Sequence, residues 1–187
     1  MNRSIKVSKP ILVYIAALTA GFLYASPSWA ATVQVEVIHS QDRYQTAGTY
    51  PIALRLRISS PWCIHCTKTE ARELMPTVLC FRKCPELKVE GIRFPEPERK
   101  KFDYTPAPIN VFSGDILVRA TLVINENAST GEQVVTGDLS YQACSSNVCL
   151  LPEKVPISMP VSIVPRGIST TALNQDIFFS GNEEDFE

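Results

Sequence analysis

Apolar and polar side chains alternate with a period of two along much of the chain. In an extended strand, successive side chains point to opposite faces, so this alternation is typical of strands with one buried and one exposed face. The pattern therefore predicts strands in the following segments: 32–40, 50–59, 114–125, 134–143 and 155–164.

Turn-forming residues separate these segments, among them Ala47-Gly48 and Gly131-Glu132. The chain also has 14 prolines, which would interrupt most helices of any length. Several short alternating strands joined by such turns predict an all-β fold, an antiparallel β-sandwich.

The N-terminus carries three basic residues, an apolar run over residues 11–25 and a small-residue site at 28–30. This three-part layout is typical of a secretory signal peptide, and the apolar run is short for a membrane span, which needs ~20 residues. We expect residues 1–30 to be cleaved, leaving an exported protein without a membrane span in an oxidising compartment. In such an oxidising compartment, cysteine pairs tend to be disulfides.

The remaining residues predict one domain at 31–165 and an acidic, flexible tail at 166–187. The chain carries a net charge of −1, and basic and acidic side chains balance within the domain. No basic patch for nucleic acid and no polybasic segment for lipid is present in the sequence, so neither partner is expected.

Four of the six cysteines, at positions 63, 66, 80 and 84, follow the spacing C-x2-C-x13-C-x3-C. This spacing is close to that of a four-thiolate zinc site. In an exported protein Cys63, Cys66, Cys80 and Cys84 instead favour two structural disulfides. A zinc or copper site and a second exchangeable dithiol stay open as alternatives. His65 lies between two of these cysteines and is a candidate ligand, although a lone histidine in a loop is more often a packing residue.

The other two cysteines, Cys144 and Cys149, enclose four residues just after a predicted strand. Closing so short a loop limits the stabilisation by a disulfide to roughly 2 kcal/mol in the chain-entropy model. Such a bond can be reduced without unfolding the domain, as thiol–disulfide exchange requires. From the residues alone, an exchangeable pair and a simple hairpin disulfide both remain open.

The stretch "YQACSSNVCLLPEKVPISMPVSI" resembles the signature of the amino-terminal periplasmic domain of the DsbD family of membrane disulfide reductases. The positions that carry the resemblance are Tyr141, Gln142, Cys144, Cys149, Pro152 and Glu153. The resemblance implies an immunoglobulin-like sandwich with the cysteine pair at its active edge. The family's chains usually continue into membrane helices and a thioredoxin-like domain, so we expect this chain to work as a stand-alone module.

The activity that the resemblance implies is protein-disulfide reduction by thiol–disulfide exchange, without a cofactor. Electrons would come from a membrane-embedded disulfide reductase acting in trans. They would pass to periplasmic disulfide isomerases or to thioredoxin-like proteins of cytochrome c biogenesis. Cys149 is the expected attacking thiolate and Cys144 the resolving one.

The family also has a loop whose aromatic residue shields the cysteine pair. Phe102, Asp103 and Tyr104 are the candidates here, with Tyr104 the preferred shield. Two other functions stay open from the sequence. One is a periplasmic metal-binding protein that uses the four other cysteines, and the other is an interaction module held together by disulfides.

Overall fold

The structure is a computed structural model that describes residues 31–69 and 74–178. The predicted signal peptide lies outside the described residues, as do positions 179–187 of the predicted tail. The elements are β1 (Val33–His39), β2 (Tyr44–Gln45), β3 (Thr49–His65), β4 (Val78–Phe81), β5 (Leu87–Arg93), β6 (Glu98–Lys100), β7 (Ile109–Ile124), β8 (Gly131–Tyr141), β9 (Ala143–Cys144), β10 (Glu153–Val164) and α1 (Gln175–Phe178).

All five strands predicted from alternation are present, as β1, β3, β7, β8 and β10. Strands β3 and β7 are longer than predicted, because β3 continues to His65 and β7 begins at Ile109. The strands β2, β4, β6 and β9 were not predicted, since two to four residues offer too few periods for alternation to be recognised. Strand β5 was not predicted either, and its pairing with β7 is irregular around Gly91.

The strands form two sheets that pack face to face. One sheet has the order β1-β3-β7-β5, with β6 added to β7 and β9 added to β3, and the other has the order β2-β10-β8-β4. Leu54 and Val118 of the first sheet share a buried cluster with Leu139 and Ile157 of the second. The all-β, immunoglobulin-like sandwich is thus confirmed, and the short β2–β10 pair is its one parallel pairing among the described strands.

Strand β10 holds two prolines, which have no backbone N–H to donate to a neighbouring strand. Pro156 and Pro160 pair with β8 on one side, and β2 reaches β10 only at Ile163 and Val164. Residues 156–160 are therefore at an open edge, where proline is tolerated and discourages pairing with another chain.

One end of the first sheet is set apart by an irregularity in β3. The register of β3 against β7 shifts between Ile58 and Cys63, and pairing resumes at Cys63 opposite Ser113. Before this shift, β3 pairs with β1. After it, β3 pairs with β9 instead, and β7 pairs with β6. The result is a small four-stranded end of the sheet made from β9, β3, β7 and β6.

Residues 166–178, the beginning of the predicted flexible tail, pack on the domain. The backbone N–H of Leu173 donates to the Ser40 carbonyl at 2.8 Å. The Phe178 side chain is buried against Ile38 and Ala53. Within the described part of the chain, no helix has the length and apolar character needed to cross a membrane.

Candidate redox site

Cys144 and Cys149 form a disulfide with a Cα–Cα distance of 4.0 Å. Cys144 ends the short strand β9, and the chain then turns so that Cys149 bridges back to it in antiparallel fashion. Within the turn, the Ser145 N–H donates to the Val148 carbonyl at 2.8 Å. This small hairpin places both sulfur atoms at the four-stranded end of the sheet.

The two sulfur-bearing residues differ in exposure. Cys144 is 0% exposed, whereas Cys149 is only partly buried. Exposed apolar side chains flank Cys149 in the chain, with Val148 49% exposed and Leu151 85% exposed. An incoming thiolate can therefore approach Cys149 more readily than Cys144, and it would meet apolar surface there.

His65 contacts the buried sulfur directly. Its Nε2 atom lies 3.4 Å from the Cys144 Sγ atom, and its Nδ1 atom lies 3.1 Å from the Met75 carbonyl oxygen. A carbonyl oxygen only accepts hydrogen bonds, so the proton of the neutral imidazole is on Nδ1 and the lone pair of Nε2 faces the sulfur. Burial lowers the pKa of His65 from its ordinary value of 6.5, which favours this neutral form.

Gln142 links the cysteine hairpin to the segment that orients His65. Its Nε2 atom donates to the Leu150 carbonyl at 3.0 Å, and its Oε1 atom accepts from the Met75 N–H at 3.4 Å. The neighbouring Tyr141 hydroxyl donates to the Glu153 carboxylate at 2.7 Å and joins the two strands on either side of the hairpin. These residues of the sequence motif thus hold the hairpin in place.

The loop that carries the predicted shielding residues Phe102, Asp103 and Tyr104, called the cap below, lies against the hairpin. The Asp103 N–H donates to the Ser146 carbonyl at 3.2 Å, which joins the two loops. Phe102 is 1% exposed and Tyr104 is 39% exposed, and their ring centroids are 5.2 Å apart. Burial, together with the nearby Cys63, raises the pKa of Tyr104 to about 12, so its hydroxyl stays protonated at neutral pH.

Cys63 lies beneath this cap. It belongs to a small buried cluster with Phe102, Ile109 and Val111. Its Sγ–H donates to the Cys144 carbonyl at 3.1 Å. Burial is the main cause that raises the pKa of the Cys63 thiol, so the thiol is protonated in this setting.

The four cysteines of the C-x2-C-x13-C-x3-C pattern carry free thiols in the structure and lie apart. Cys63 and Cys66 are buried, whereas Cys80 and Cys84 are exposed. No three of these sulfur atoms are within 4.8 Å of one another, so the structure does not assemble a four-thiolate site from them.

A different group of possible metal ligands is present in the described residues. The Nε2 atom of His65 and the sulfur atoms of Cys144 and Cys149 lie within 4.8 Å of one another. A soft metal ion prefers thiolate and imidazole ligands. Binding at this position would require the disulfide to be reduced first, because a disulfide sulfur is not a thiolate.

Sequence reasoning did not assign His65 to the cysteine pair. The residues are 79 positions apart, and only the pairing of β9 with the end of β3 brings them together. The sequence did contain one signal that Cys63 and His65 lie together. They are two residues apart, and in a strand such residues lie on the same face.

Two solved structures of N-terminal domains are similar to this chain. The N-terminal domain of DsbD from Neisseria meningitidis, in its reduced form, has 18% sequence identity and a TM-score of 0.40, with 74% of this chain and 88% of that chain covered. The N-terminal periplasmic domain of ScsB from Proteus mirabilis has 14% identity and a TM-score of 0.49, with 79% of this chain covered. This chain spans about half (51%) of that ScsB domain.

A type I cohesin from Pseudobacteroides cellulosolvens is also similar, with 11% identity, a TM-score of 0.34 and coverage of 72% of this chain and 94% of that chain. No protein-family model matches the sequence. No curated protein sequence matches it either. The stretch that begins at Tyr141 and contains the cysteine pair resembles the signature of the DsbD family. The Neisseria meningitidis structure is a DsbD domain.

Proposed function

We propose that this protein is a periplasmic thiol–disulfide exchange module that reduces disulfides of exported proteins. The observation that carries the proposal is the disulfide itself, with Cys144 buried against a neutral histidine and Cys149 partly exposed at a hairpin. A structural disulfide needs neither an accessible sulfur nor a base, whereas an exchanging one benefits from both.

In the reduced protein, the Cys149 thiolate attacks a partner disulfide, forms a mixed disulfide and releases one partner thiolate. Cys144 then attacks the Cys149 sulfur and expels the second partner thiolate. His65 Nε2 takes the Cys144 proton as this step begins, and the electron count is complete because the partner gains the two electrons that the pair loses. The domain ends with the Cys144–Cys149 disulfide.

Reloading reverses these steps with a different reductant. A dithiol of a membrane-embedded disulfide reductase, acting in trans, attacks Cys149 and displaces Cys144 as the leaving thiolate. His65 is neutral in the oxidised protein, its proton having passed to the expelled partner thiolate, so the leaving Cys144 thiolate receives the proton of the attacking thiol by way of His65 Nε2. We propose thioredoxin-like proteins or disulfide isomerases as the acceptors, in keeping with the family that the motif resembles, and cytochrome c biogenesis as one process that such acceptors serve.

Docking of either partner would use the apolar surface beside Cys149. Val148 and Leu151 are exposed on the hairpin, and Tyr104 is partly exposed on the adjoining cap. Apolar and aromatic side chains contribute strongly to the centres of protein interfaces. Val148 and Leu151 lie on the hairpin that carries the accessible sulfur, and the loop of Tyr104 is joined to that hairpin, so partner binding and thiol attack would occur at one place.

The test is thiol trapping of the intact mature protein across graded glutathione buffers, with each cysteine read separately by peptide mass spectrometry. We expect Cys144 and Cys149 to titrate together as a two-electron couple between about −120 and −270 mV, the range of catalytic dithiols. The Cys80→Ser/Cys84→Ser variant, which lacks the two exposed free thiols, should give the same potential. A pair that stays oxidised below about −300 mV would be a structural disulfide and would contradict the proposal.

A further inference from the structure

The structure places a third cysteine directly opposite the buried member of the pair. Cys63 of β3 and Cys144 of β9 are register partners in an antiparallel ladder. Side chains of directly opposed residues project from the same face of a sheet, with Cα atoms roughly 4.5–5.5 Å apart. Disulfides usually join Cα atoms roughly 4.4–6.8 Å apart, so this backbone arrangement accommodates a bond between the two residues.

The Cys63 side chain also contacts the backbone of Cys144. The Cys63 Sγ atom lies 3.1 Å from the carbonyl oxygen of Cys144 itself. His65, two residues further along the strand, extends its Nε2 atom to the Cys144 sulfur. Cys63, His65 and Cys144 are all buried, and Cys63 packs in one cluster with Phe102.

Access to this third thiol is restricted. Cys63 and Cys144 are both 0% exposed, and no external oxidant or partner can reach Cys63 without displacing the cap. Cys66 provides a contrast within the same C-x2-C segment. It faces the core between the sheets, and its thiol donates to the Lys68 carbonyl at 2.6 Å.

We propose that Cys63 is a third redox-active cysteine that exchanges with the Cys144–Cys149 disulfide. The Cys63 thiolate attacks the Cys144 sulfur, the Cys63–Cys144 bond forms and the Cys144–Cys149 bond breaks. Cys149 leaves as a thiolate and takes up the proton that Cys63 lost, so the number of disulfides and electrons is unchanged. No additional oxidant or reductant is needed.

The exchange gives the oxidised domain two forms. In one form the disulfide includes the accessible Cys149, and a reducing partner can attack it. In the other form the disulfide is fully buried and Cys149 is a free, partly exposed thiol. The inference rests on the proposed function. It describes which pair of cysteines forms the disulfide of the oxidised domain while no partner is bound.

The decisive variant is Cys149→Ser, which leaves Cys144 with Cys63 as its only neighbouring thiol on this face. The reduced mature variant is treated with glutathione disulfide, and non-reducing peptide mass spectrometry identifies its bonds. We expect most molecules to contain an internal Cys63–Cys144 disulfide. Recovery of Cys144 only as a free thiol or as its glutathione adduct would overturn the proposal.

Two double variants are matched controls. Cys63→Ala/Cys149→Ser should lose the internal bond completely, whereas Cys66→Ala/Cys149→Ser should keep it, because Cys66 faces the core. An internal bond that depends on Cys66 instead would contradict the assignment to Cys63. Circular dichroism of each variant checks that the sandwich is intact.

The unaltered protein supplies an independent measurement that does not depend on the folding of a variant. At oxidised equilibrium, rapid acid quenching followed by the same peptide analysis should find a minor population with Cys63–Cys144 paired and Cys149 free. If Cys144–Cys149 titrates as a catalytic dithiol but this population and the Cys149→Ser bond are both absent, the proposed function stands and the role of Cys63 is wrong.

Discussion

The Nε2 atom of His65 and the Sγ atom of Cys144 are 3.4 Å apart, although 79 positions separate the residues in the chain. The Met75 carbonyl accepts from Nδ1 and so directs the Nε2 lone pair at the sulfur. A buried neutral base is therefore held next to the cysteine that closes the disulfide. In the proposed mechanism this contact has a role that a merely structural disulfide would not need, and it leads to the first prediction.

Replacing His65 by Gln should slow closure of the disulfide after Cys149 has reacted with glutathione disulfide. General-base assistance typically contributes about 10²–10⁴-fold, so we expect a loss of about a hundredfold or more in this step. Quenched-flow mass spectrometry of the glutathione adduct measures it. The His39→Gln variant is the matched control, because His39 lies on β1 and contacts the Tyr44 hydroxyl. Equal closure rates in the His65→Gln variant and the unaltered protein would exclude the base.

The same histidine should make the closure rate depend on pH. Burial lowers the pKa of His65 below 6.5, so the imidazole is neutral and active above that lowered value and protonated below it. We expect the closure rate of the unaltered protein to fall as the pH drops through this value, and the His65→Gln profile to lack that inflection. A profile that is unchanged by the substitution would assign the inflection to another group.

Acidification should also destabilise the folded protein through its two histidines. Burial lowers the folded-state pKa of both His39 and His65, whereas the unfolded chain titrates near the ordinary value of 6.5. The unfolded state then binds more protons, so the stability present above 6.5 is lost as the pH falls towards the folded pKa values. Urea midpoints should decrease from about pH 7.5 to about pH 5, and less so in a His39→Gln/His65→Gln variant.

The cap should control access of small thiols to the disulfide. Removal of the ring in Tyr104→Ala uncovers the surface above Phe102 and Cys63, so reduction of Cys144–Cys149 by glutathione should become several-fold faster. Tyr104→Phe keeps the ring and should react like the unaltered protein. Stopped-flow measurement with excess glutathione gives both rates. If the Ala and Phe variants react equally fast, Tyr104 is not the shield.

Gln142 should contribute to stability through the contacts of its side-chain amide. It bonds to the Leu150 carbonyl and the Met75 N–H, and each such bond is worth roughly 0.5–1.5 kcal/mol. We expect Gln142→Ala to lower the free energy of unfolding by about 1–2 kcal/mol, measured by urea denaturation of the oxidised protein. Gln34→Ala, at an exposed position of β1, should change it by less than about 0.5 kcal/mol. A loss as small as that of the control would mean that the amide does not hold the hairpin.

The strand pattern and the cysteine pair were accessible from the sequence because both depend on neighbours in the chain. Alternation reports which face of each long strand is buried, as in β8, where Val135, Leu139 and Tyr141 face the core. Likewise, Cys144 and Cys149 are five positions apart, so a tight turn suffices to join them.

Other features were decided by tertiary structure alone. The shift in β3 after Ile58 and the addition of β9 bring Cys63 and His65 to Cys144, and no local pattern encodes which strands become neighbours across such distances. The same topology separates Cys63 from Cys66. Their C-x-x-C spacing left a metal site or an exchangeable dithiol open, but a strand sends residues three positions apart to opposite faces.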